Sequence, residues 1–338
     1  MSDKMTLQVL ANHARAAAEN MAHTLHRTAH SAFVKETQDF TVLLMDKAGE
    51  TFAVPMDLGA TWYPGLCHGP AIEMIDDYRP GDVGFTNDPY SGHVAMHTPD
   101  THLWKPIFAE DEIVAWAGGH IHNTDMGGAV PASLSRSLTE VHQEGIRFPP
   151  MKLVNEGVFD QQILRIMQTN VRKPALNIGD MKALVGALST GDRKVQAMIQ
   201  RFGKAGFMNG VQALKDRSEA QARDILTSIP DGEYVFADYA DEDSDEANPC
   251  RLKLTLRITG DTSRTTRGAP LVQLLPLDRG EQVQAMLAIQ NPKEDYLLVL
   301  ATKMGEVKAL RTGGLANIRP SGLIVMDLEQ DDELVAVT

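Results

Sequence analysis

Two segments rich in glycine and histidine contain the side chains best suited to chemistry. The first covers residues 87–100 and the second covers residues 118–128. Both border a predicted pair of strands, and a hairpin brings its two ends together, so we expect the loops to face each other. The side chains gathered there would be those of His93, His97, Asp100, His120, His122 and Asp125.

Such a set of imidazoles and carboxylates suits a divalent Zn, Mn or Fe ion. The spacing His97-x-x-Asp100 is common by chance, whereas His120-x-His122 would place both rings on one face of an extended segment. The sequence therefore predicts a metal site, whose ion would polarise a carbonyl or lower the pKa of a water. The alternative interpretation is that these histidines cap loops and hydrogen-bond to the backbone.

The histidines are confined to the N-terminal part of the chain. All 11 lie between His13 and His142, and none follows among the remaining 196 of the 338 residues. His23, His26 and His30 lie near one face of a predicted helix without a carboxylate between them, and we interpret them as a polar flank. Any imidazole chemistry is therefore expected in the region of the two loops.

The elements that must position these loops are a mixture of strands and helices. Apolar residues at three- and four-residue steps predict a helix over residues 5–30. This pattern, with the others, predicts an α+β fold that combines a mixed β-sheet with helices. The predicted strands are 40–45, 51–54, 83–86, 101–108, 112–117, 234–237 and 252–258, and the further helices are 159–170, 178–202 and 207–229.

The pattern of the chain changes after about residue 262. Short apolar runs separated by glycines predict an all-β partial pinwheel or propeller fragment. We therefore predict two domains, covering residues 1–262 and 263–338. The strands predicted in the second domain are 271–275, 283–289, 296–301, 306–310 and 323–328.

Composition excludes several classes of protein. The net charge of −13 argues against a dedicated nucleic-acid binder. The two cysteines cannot form a disulfide scaffold and suit a reducing cytoplasm. The first residues lack the apolar segment of a signal peptide, and no run approaches the ~18 apolar residues that a membrane span needs. Neither a phosphate-binding loop nor a nucleophile elbow is present, so we expect any ATP on another subunit.

Several motifs follow one another in a specific order between residues 5 and 261. They include Lys35-Glu36-x-x-Asp39-Phe40, Gly81-Asp82-Val83, Asn87-Asp88-Pro89-Tyr90, His97-x-Pro99-Asp100, His122-x-x-Asp125-x-Gly127-Gly128, Gln143-Glu144-Gly145 and Asn170-Val171-Arg172. In this order they resemble the hydantoinase B/oxoprolinase family. The resemblance implies a metal-containing subunit of an ATP-dependent cyclic-amide hydrolase of the hydantoinase or 5-oxoprolinase type. Its close alternative is a subunit of an acetone or acetophenone carboxylase.

The resemblance also implies partners and site residues. A hydantoinase A-like subunit would bind ATP and activate a small cyclic amide or ketone as a phosphorylated imidate or enol. The metal ligands would be His97, Asp100 and His122. Asp125 or His120 could transfer a proton.

The chain departs from the family pattern in two places. The segment Ser91-Gly92-His93-Val94-Ala95-Met96 is longer than the usual stretch, which leaves His93 as a rival ligand beside a further candidate, Asp88. Asn123 stands where the family often has a second adjacent histidine, so His120 could compensate. The ligand set predicted from the resemblance therefore keeps these alternatives.

The tail contains motifs of a different kind, among them Thr266-Arg267-Gly268-x-Pro270 and Ala301-Thr302-Lys303-x-Gly305. They resemble the β-pinwheel C-terminal domain of the DNA gyrase A subunit, which wraps DNA on a basic rim. Residues 263–338 contain eight Lys and Arg against ten Asp and Glu, so we expect no DNA binding. We interpret the chain as a chimera joined near residues 260–263, with a truncated first part, and a genuine fusion is the alternative. The alternatives to an enzyme subunit are a DNA-binding gyrase-like module and an inactive chimeric fragment.

Overall fold

The computed structural model describes residues 4–59, 66–240, 250–259, 297–312, 325–326, 332 and 334–337. The chain divides into two compact units, Met1–Ile258 and Thr259–Thr338. Within the described ranges, no helix combines the length and the apolar character needed to cross a membrane. The first unit is an α+β fold, as predicted, and it contains both histidine-rich segments.

The first unit contains six helices among its described residues. The long first helix buries Leu10, Ala14, Met21 and Leu25, which confirms the predicted apolar stripe. The predicted helices 159–170 and 178–202 are separate, but the second begins earlier than predicted, because Pro174 occupies its first turn, where the missing N–H of proline has no intrahelical partner to lose. The helices are α1 (Lys4–Thr28), α2 (Ala32–Lys35), α3 (Gly69–Ile72), α4 (Gln161–Asn170), α5 (Pro174–Phe202) and α6 (Lys204–Ser228).

A seven-stranded antiparallel sheet forms the centre of this unit. Its strands, in sequence order, are β1 (Phe40–Asp46), β2 (Thr51–Ala53), β3 (Val83–Thr86), β4 (Asp100–Ala109), β5 (Glu112–His122), β6 (Met151–Asn155) and β7 (Val158–Phe159). They lie side by side in the order β2-β1-β5-β4-β3-β6-β7. The sequence patterns predicted the first five of these strands and missed β6 and β7.

Strand β5 is longer than predicted. We predicted that this strand ends at Ala117 and that the next residues form a loop. The strand instead continues to His122 and pairs with β1 on one side and with β4 on the other. Gly118 and Gly119 caused the error, because glycine weakens a strand signal. A Cβ atom on Gly119 would lie 2.5 Å from the backbone oxygen of Thr41, so the close approach of β1 requires glycine there.

The core lies between the sheet and two long helices. Helices α1 and α5 pack against each other, and α5 also packs on β4 and β5. Leu10, Leu25, Leu103 and Leu184 belong to this main core. A smaller cluster includes Leu43, Met45, Trp104 and Trp116. The two central strands that carry the histidine segments are therefore held by packing as well as by hydrogen bonds.

Two smaller sheets complete the described residues. In the first unit, β8 (Gly232–Ala240) pairs with β9 (Cys250–Ile258). In the second unit, β10 (Leu297–Thr302) lies between β11 (Val307–Arg311) and β12 (Leu334–Val337). Strands β10 and β11 confirm two predicted strands, and β12 was missed. Strands 271–275 and 283–289 and most of 323–328 lie outside the described residues, so the pinwheel fragment stays a prediction.

Candidate metal centre

Two histidines and one aspartate converge at the end of the central strand pair. His97 Nε2 lies 3.0 Å from Asp100 Oδ1, and His122 Nδ1 lies 3.3 Å from the same oxygen. One potential ligand atom from each residue lies within 4.8 Å of the others. In the part of the chain that the structure describes, no other group of three His, Cys, Asp or Glu side chains meets this criterion.

The strand register brings these residues together. Asp100 begins β4 and His122 ends β5, and the two are directly paired across the antiparallel ladder. His97 lies in the preceding loop, and a turn closed by the hydrogen bond from Asp100 N to His97 O, 3.1 Å long, returns its ring to the strand end. The rings of His97 and His122 are 5.0 Å apart. Spacing predicted only that the two histidine-rich segments face each other, and the family resemblance implied this set of three; the ladder explains how the three side chains meet.

The site is closed on the inside and open on one side. Asp100 and His122 are buried, whereas the His97 side chain is 32% exposed. Burial opposes ionisation of Asp100, but hydrogen bonds from His122 and His97 outweigh it and hold the pKa of this carboxyl well below its usual range. One ionised carboxylate and two imidazoles together form a set of donors that Zn, Mn and Fe accept. His122 Nε2 is buried without a hydrogen-bond partner among the described residues.

Asp39 is a residue of this site that the sequence analysis did not select. Its carboxylate lies 3.7 Å from His122 Nδ1 and 3.9 Å from His120 Nε2. Its backbone oxygen accepts a hydrogen bond of 3.1 Å from His122 N. The side chain is 43% exposed, so a second carboxylate faces the open side of the site. Asp39 belongs to the motif Lys35-Glu36-x-x-Asp39-Phe40 of the family resemblance. This motif was the signal in the sequence that could have identified Asp39 as a site residue.

A row of buried imidazoles extends from the site into the protein. His102 and His120 are directly paired across β4 and β5, and their rings stack at 5.2 Å. The ring of His68 lies 5.7 Å from that of His102. Alternate residues of a strand share one face, so the row continues the face that carries Asp100 and His122. The sequence analysis selected His120 but missed His68 and His102.

His68 ends this row in the buried interior. It is 1% exposed, and neither ring nitrogen has a hydrogen-bond partner among the described residues. Burial, together with the nearby His120, lowers its pKa to about 4. The ring is therefore neutral in the folded protein at neutral pH, and protonation would place an unpaired charge in the interior.

The burial of His68 predicts that the folded protein loses stability in acid. Replacing His68 should reduce this loss. The unfolded chain takes up a proton near the ordinary pKa of 6.5, whereas the folded chain resists it down to about 4. The free energy of unfolding is therefore unaffected by His68 above that range and falls as the pH drops through it. When the pH is lowered from about 7.5 to about 5, His68 should lower the free energy of unfolding by about 2 kcal/mol.

Urea titrations at the two pH values would measure this loss in the wild type and in His68→Leu. The leucine variant should lose about 2 kcal/mol less, because it removes the group that titrates. His23→Leu, which replaces an exposed histidine on α1, is the matched control and should behave like the wild type. An equal loss in His68→Leu and the wild type would contradict the assignment.

Asp125 lies in the second loop but has its carboxylate engaged elsewhere. It is 1% exposed and accepts hydrogen bonds from Arg172 Nη1 at 2.6 Å and Gly127 N at 3.1 Å. The backbone N–H of Arg172 donates to its other oxygen. These contacts fasten the loop to the residues between α4 and α5. The predicted role of Asp125 in proton transfer stays a prediction.

Asp88 and His93 lie outside the three-residue group. Asp88 accepts hydrogen bonds from Ser91 Oγ at 2.6 Å and Arg147 Nη1 at 3.3 Å, which order its own loop. His93 is exposed and has a positive φ of 55°. Their use as additional ligands stays a prediction, and neither reaches the group in this structure.

The fold and the site together define an α+β protein with a His/carboxylate centre at the end of a central hairpin. The sequence profile of the family described as hydantoinase B/oxoprolinase matches residues 3–267. The chain therefore belongs to the hydantoinase B/oxoprolinase family.

Individual relatives agree with this assignment. The chain is 29% identical over 292 residues to one subunit of a putative D-/L-hydantoinase of Pseudomonas sp. (strain NS671), covering 82% of this chain and 48% of the relative. It is similar to the crystal structure of an ATP-dependent caprolactamase from Pseudomonas jessenii, with a TM-score of 0.66, 29% identity, and coverage of 77% of this chain and 45% of that one. The chain spans about half the length of the curated relatives it matches.

A more distant structure shares the fold. A nucleotide-free acetone carboxylase matches with a TM-score of 0.63 and 19% identity, over 77% of this chain and 36% of that one. At this identity the likeness shows the fold alone.

Proposed function

We propose that the chain is the metal-binding part of an ATP-dependent enzyme that opens cyclic amides of the hydantoin, lactam or 5-oxoproline class. The observation that carries the proposal is that potential ligand atoms of His97, Asp100 and His122 lie within 4.8 Å of one another. Two observations support it: a match to the family profile over most of the chain, and likeness to a caprolactamase that is described as ATP-dependent.

In this proposal, His97, Asp100 and His122 hold a divalent Mn, Zn or Fe ion. Such an ion would polarise the substrate carbonyl or lower the pKa of a water. The carboxylate of Asp39 faces the open side, where it can orient water or substrate. His120 Nε2, 3.9 Å from Asp39 Oδ1, is the better placed of the two predicted proton-transfer groups, because the carboxylate of Asp125 is engaged by Arg172.

We further propose that ATP binding and activation of the substrate take place on a hydantoinase A-like partner. The sequence lacks a phosphate-binding loop of the common type. One relative is the beta subunit of a caprolactamase of Pseudomonas jessenii, a name that indicates a second kind of subunit in that system. The partner would deliver the phosphorylated substrate to the opening beside His97.

A carboxylase that uses the same subunit architecture is the second candidate. The fold likeness to acetone carboxylase is the observation that favours it. Its substrate would be a small ketone, whose oxygen could be polarised at the same centre. Ring opening of a cyclic amide breaks a C–N bond, whereas carboxylation of a ketone forms a C–C bond. Analysis of the products therefore distinguishes the two candidates.

The test combines the purified chain with a hydantoinase A-like subunit, ATP and one substrate at a time. We expect ATP-dependent ring opening of hydantoin or caprolactam, and a drop of at least about 100-fold in His122→Ala, since loss of even an outer partner of a metal ligand costs about 10–100-fold. His23→Ala, which replaces an exposed histidine on α1 outside the group, should keep its activity. Incorporation of bicarbonate into acetone would favour the carboxylase, and equal turnover by His122→Ala would overturn the metal-site proposal.

The interpretations of the tail and of the compartment stay predictions. The family profile extends to residue 267, which lies beyond the predicted join at residues 260–263. We propose no DNA-binding function for the tail, because residues 263–338 contain eight basic and ten acidic side chains. The cytoplasm remains the predicted compartment on the basis of cysteine usage alone.

A further inference from the structure

Asp180, a buried residue of α5, binds the segment that joins α1 to α2. Its side chain is 1% exposed, and its Oδ1 atom accepts hydrogen bonds from two consecutive backbone N–H groups, those of His30 at 2.5 Å and Ser31 at 3.2 Å. Each of these donors would otherwise lie against the helix without this acceptor, and a buried donor that lacks a partner is costly. Asp180 therefore fastens the start of α2 to α5.

The neighbouring residue, Gly179, lets the same segment come close to the helix. A Cβ atom at this position would lie 2.6 Å from Cγ of the His30 ring. Carbon atoms in contact are normally about 3.5–4.0 Å apart, so a larger residue here would push His30 away from α5. Gly186, on the same helix, differs in this respect, because a Cβ atom there would meet nothing within 4 Å.

Helix α2 connects this attachment to the metal centre. Ser31 caps the helix, with its Oγ atom accepting a hydrogen bond of 3.3 Å from Val34 N. The ring of Phe33 lies 4.6 Å from the ring of His122. The carbonyl oxygen of Phe33 accepts a hydrogen bond of 2.9 Å from Asp39 N. Phe33 therefore packs on a proposed ligand with its ring and holds Asp39 with its backbone.

The orientation of the His122 ring should depend on these contacts. Asp100 Oδ1 approaches one nitrogen of this ring at 3.3 Å, while Phe33 packs on the ring and Asp39 lies 3.7 Å from the same nitrogen. A binding site works only when its ligands are held within about 0.5 Å of the right position. Changes to groups that orient a metal ligand typically cost about 10–100-fold in affinity.

We propose that Gly179 and Asp180 are positioning residues of the metal centre. They hold α2 against α5, and α2 keeps the ring of His122 in the orientation that binds the ion. The inference rests on the proposed function, because it takes His97, Asp100 and His122 as the ligands. It makes metal affinity depend on a helix that contributes none of these three ligands.

A pair of glycine variants of the full chain, titrated with Zn²⁺ alone by calorimetry, tests the proposal. Gly179→Ala should raise the dissociation constant for Zn²⁺ at least about tenfold, the lower limit for a group that orients a ligand. Gly186→Ala is the matched control and should bind Zn²⁺ as the wild type does, because the added methyl group meets open space. Both variants replace glycine by alanine within α5, so they gain the same helix propensity.

A second set of variants tests the hydrogen bonds of Asp180. Asp180→Leu removes the acceptor and should raise the dissociation constant for Zn²⁺ at least about tenfold. Asp180→Asn keeps an oxygen that can accept both hydrogen bonds, so its affinity should return to within about threefold of the wild type. Asp160→Leu is the control for general stability, because Asp160 also accepts from two backbone N–H groups but caps α4. It should lower the free energy of unfolding and leave Zn²⁺ affinity unchanged.

The outcomes separate the positioning role from the proposed function. Wild-type affinity in Gly179→Ala, or in a folded Asp180→Leu, would overturn the positioning role and leave the metal site standing. Losses of equal size in Gly186→Ala and Asp160→Leu would overturn it as well, because affinity would then follow stability in general. The expected losses in a chain without ATP-dependent turnover would support the positioning role and overturn the proposed reaction.

Two further results have a definite meaning. If Asp180→Leu does not fold, the comparison of Gly179→Ala with Gly186→Ala decides the question. A wild-type chain that binds no Zn²⁺, Mn²⁺ or Fe²⁺ would overturn the metal centre and the positioning role together.

Discussion

Replacement of Asp100 by asparagine is expected to reduce the bound metal from about one ion per chain to less than about a tenth. Asp100 Oδ1 is the atom shared by both imidazoles, at 3.0 Å from His97 and 3.3 Å from His122. Asparagine keeps the shape but removes the charge, and its amide can turn a donor toward the ion. Since even changes to the partners of a ligand cost 10–100-fold in affinity, loss of a ligand in a three-residue set should cost more.

The measurement is elemental analysis of purified protein after dialysis against limiting Mn, Zn or Fe. His97→Ala should lose metal as Asp100→Asn does. His23→Ala is the matched control, because His23 is an exposed histidine on α1 outside the group, and it should retain metal. Retention of a full ion by Asp100→Asn would contradict the site.

Stability offers a second readout of the same prediction. A metal present at about 100 times its dissociation constant should stabilise the wild type by about 2.7 kcal/mol. The increase in stability should be absent in Asp100→Asn, whereas His23→Ala should show all of it. Thermal unfolding with and without added metal would measure the difference. An equal increase in all three proteins would mean that the ion binds elsewhere.

Replacement of Asp125 by asparagine is expected to lower the free energy of unfolding by about 3 kcal/mol. Removing one partner of a buried ion pair typically costs about 3–5 kcal/mol, and the lower figure applies because Arg172 is 48% exposed. The carboxylate is buried and receives donors from Arg172 and Gly127. An amide in its place presents a donor to one of them. The second loop and the residues between α4 and α5 would lose their common anchor.

Urea unfolding at neutral pH measures this loss, and a double-mutant cycle with Arg172→Met separates the ion pair from the other contacts. A coupling of at least about 1 kcal/mol is expected, as for residues in one hydrogen-bonded network. Asp160→Asn, which keeps a side chain suited to the N-cap of α4, is the control and should cost little. A stability within about 0.5 kcal/mol of the wild type, with turnover strongly reduced, would instead support the predicted role of Asp125 in proton transfer.

The sequence predicted most of the elements that build the site, and its errors have local causes. The apolar stripe of α1 and the continuous apolar run of β1 were sufficient, because α1 buries one face in the core and β1 is buried along nearly its whole length. The end of β5 was missed, since Gly118 and Gly119 are typical of loops and become strand only where β1 packs against them. Strands β6 and β7 are short and complete an edge, so their own sequence contains little signal.

The residue types and the short spacings came from the sequence alone. His97-x-x-Asp100 and His120-x-His122 were visible, as were the family motifs that pointed to His97, Asp100 and His122. A chemistry of imidazoles and carboxylates followed from those types without any knowledge of the fold. The sequence also confined this chemistry to the part of the chain that contains the histidines.

Only the tertiary structure decided which of these side chains meet. The pairing of Asp100 with His122 is a property of the hairpin register, and the approach of Asp39 depends on β1 lying beside β5. Neighbouring motifs did not reveal that Asp125 is held by Arg172, 47 residues later. Hydrogen-bond register and packing join residues that are distant in the chain, and a linear pattern contains no record of those distances.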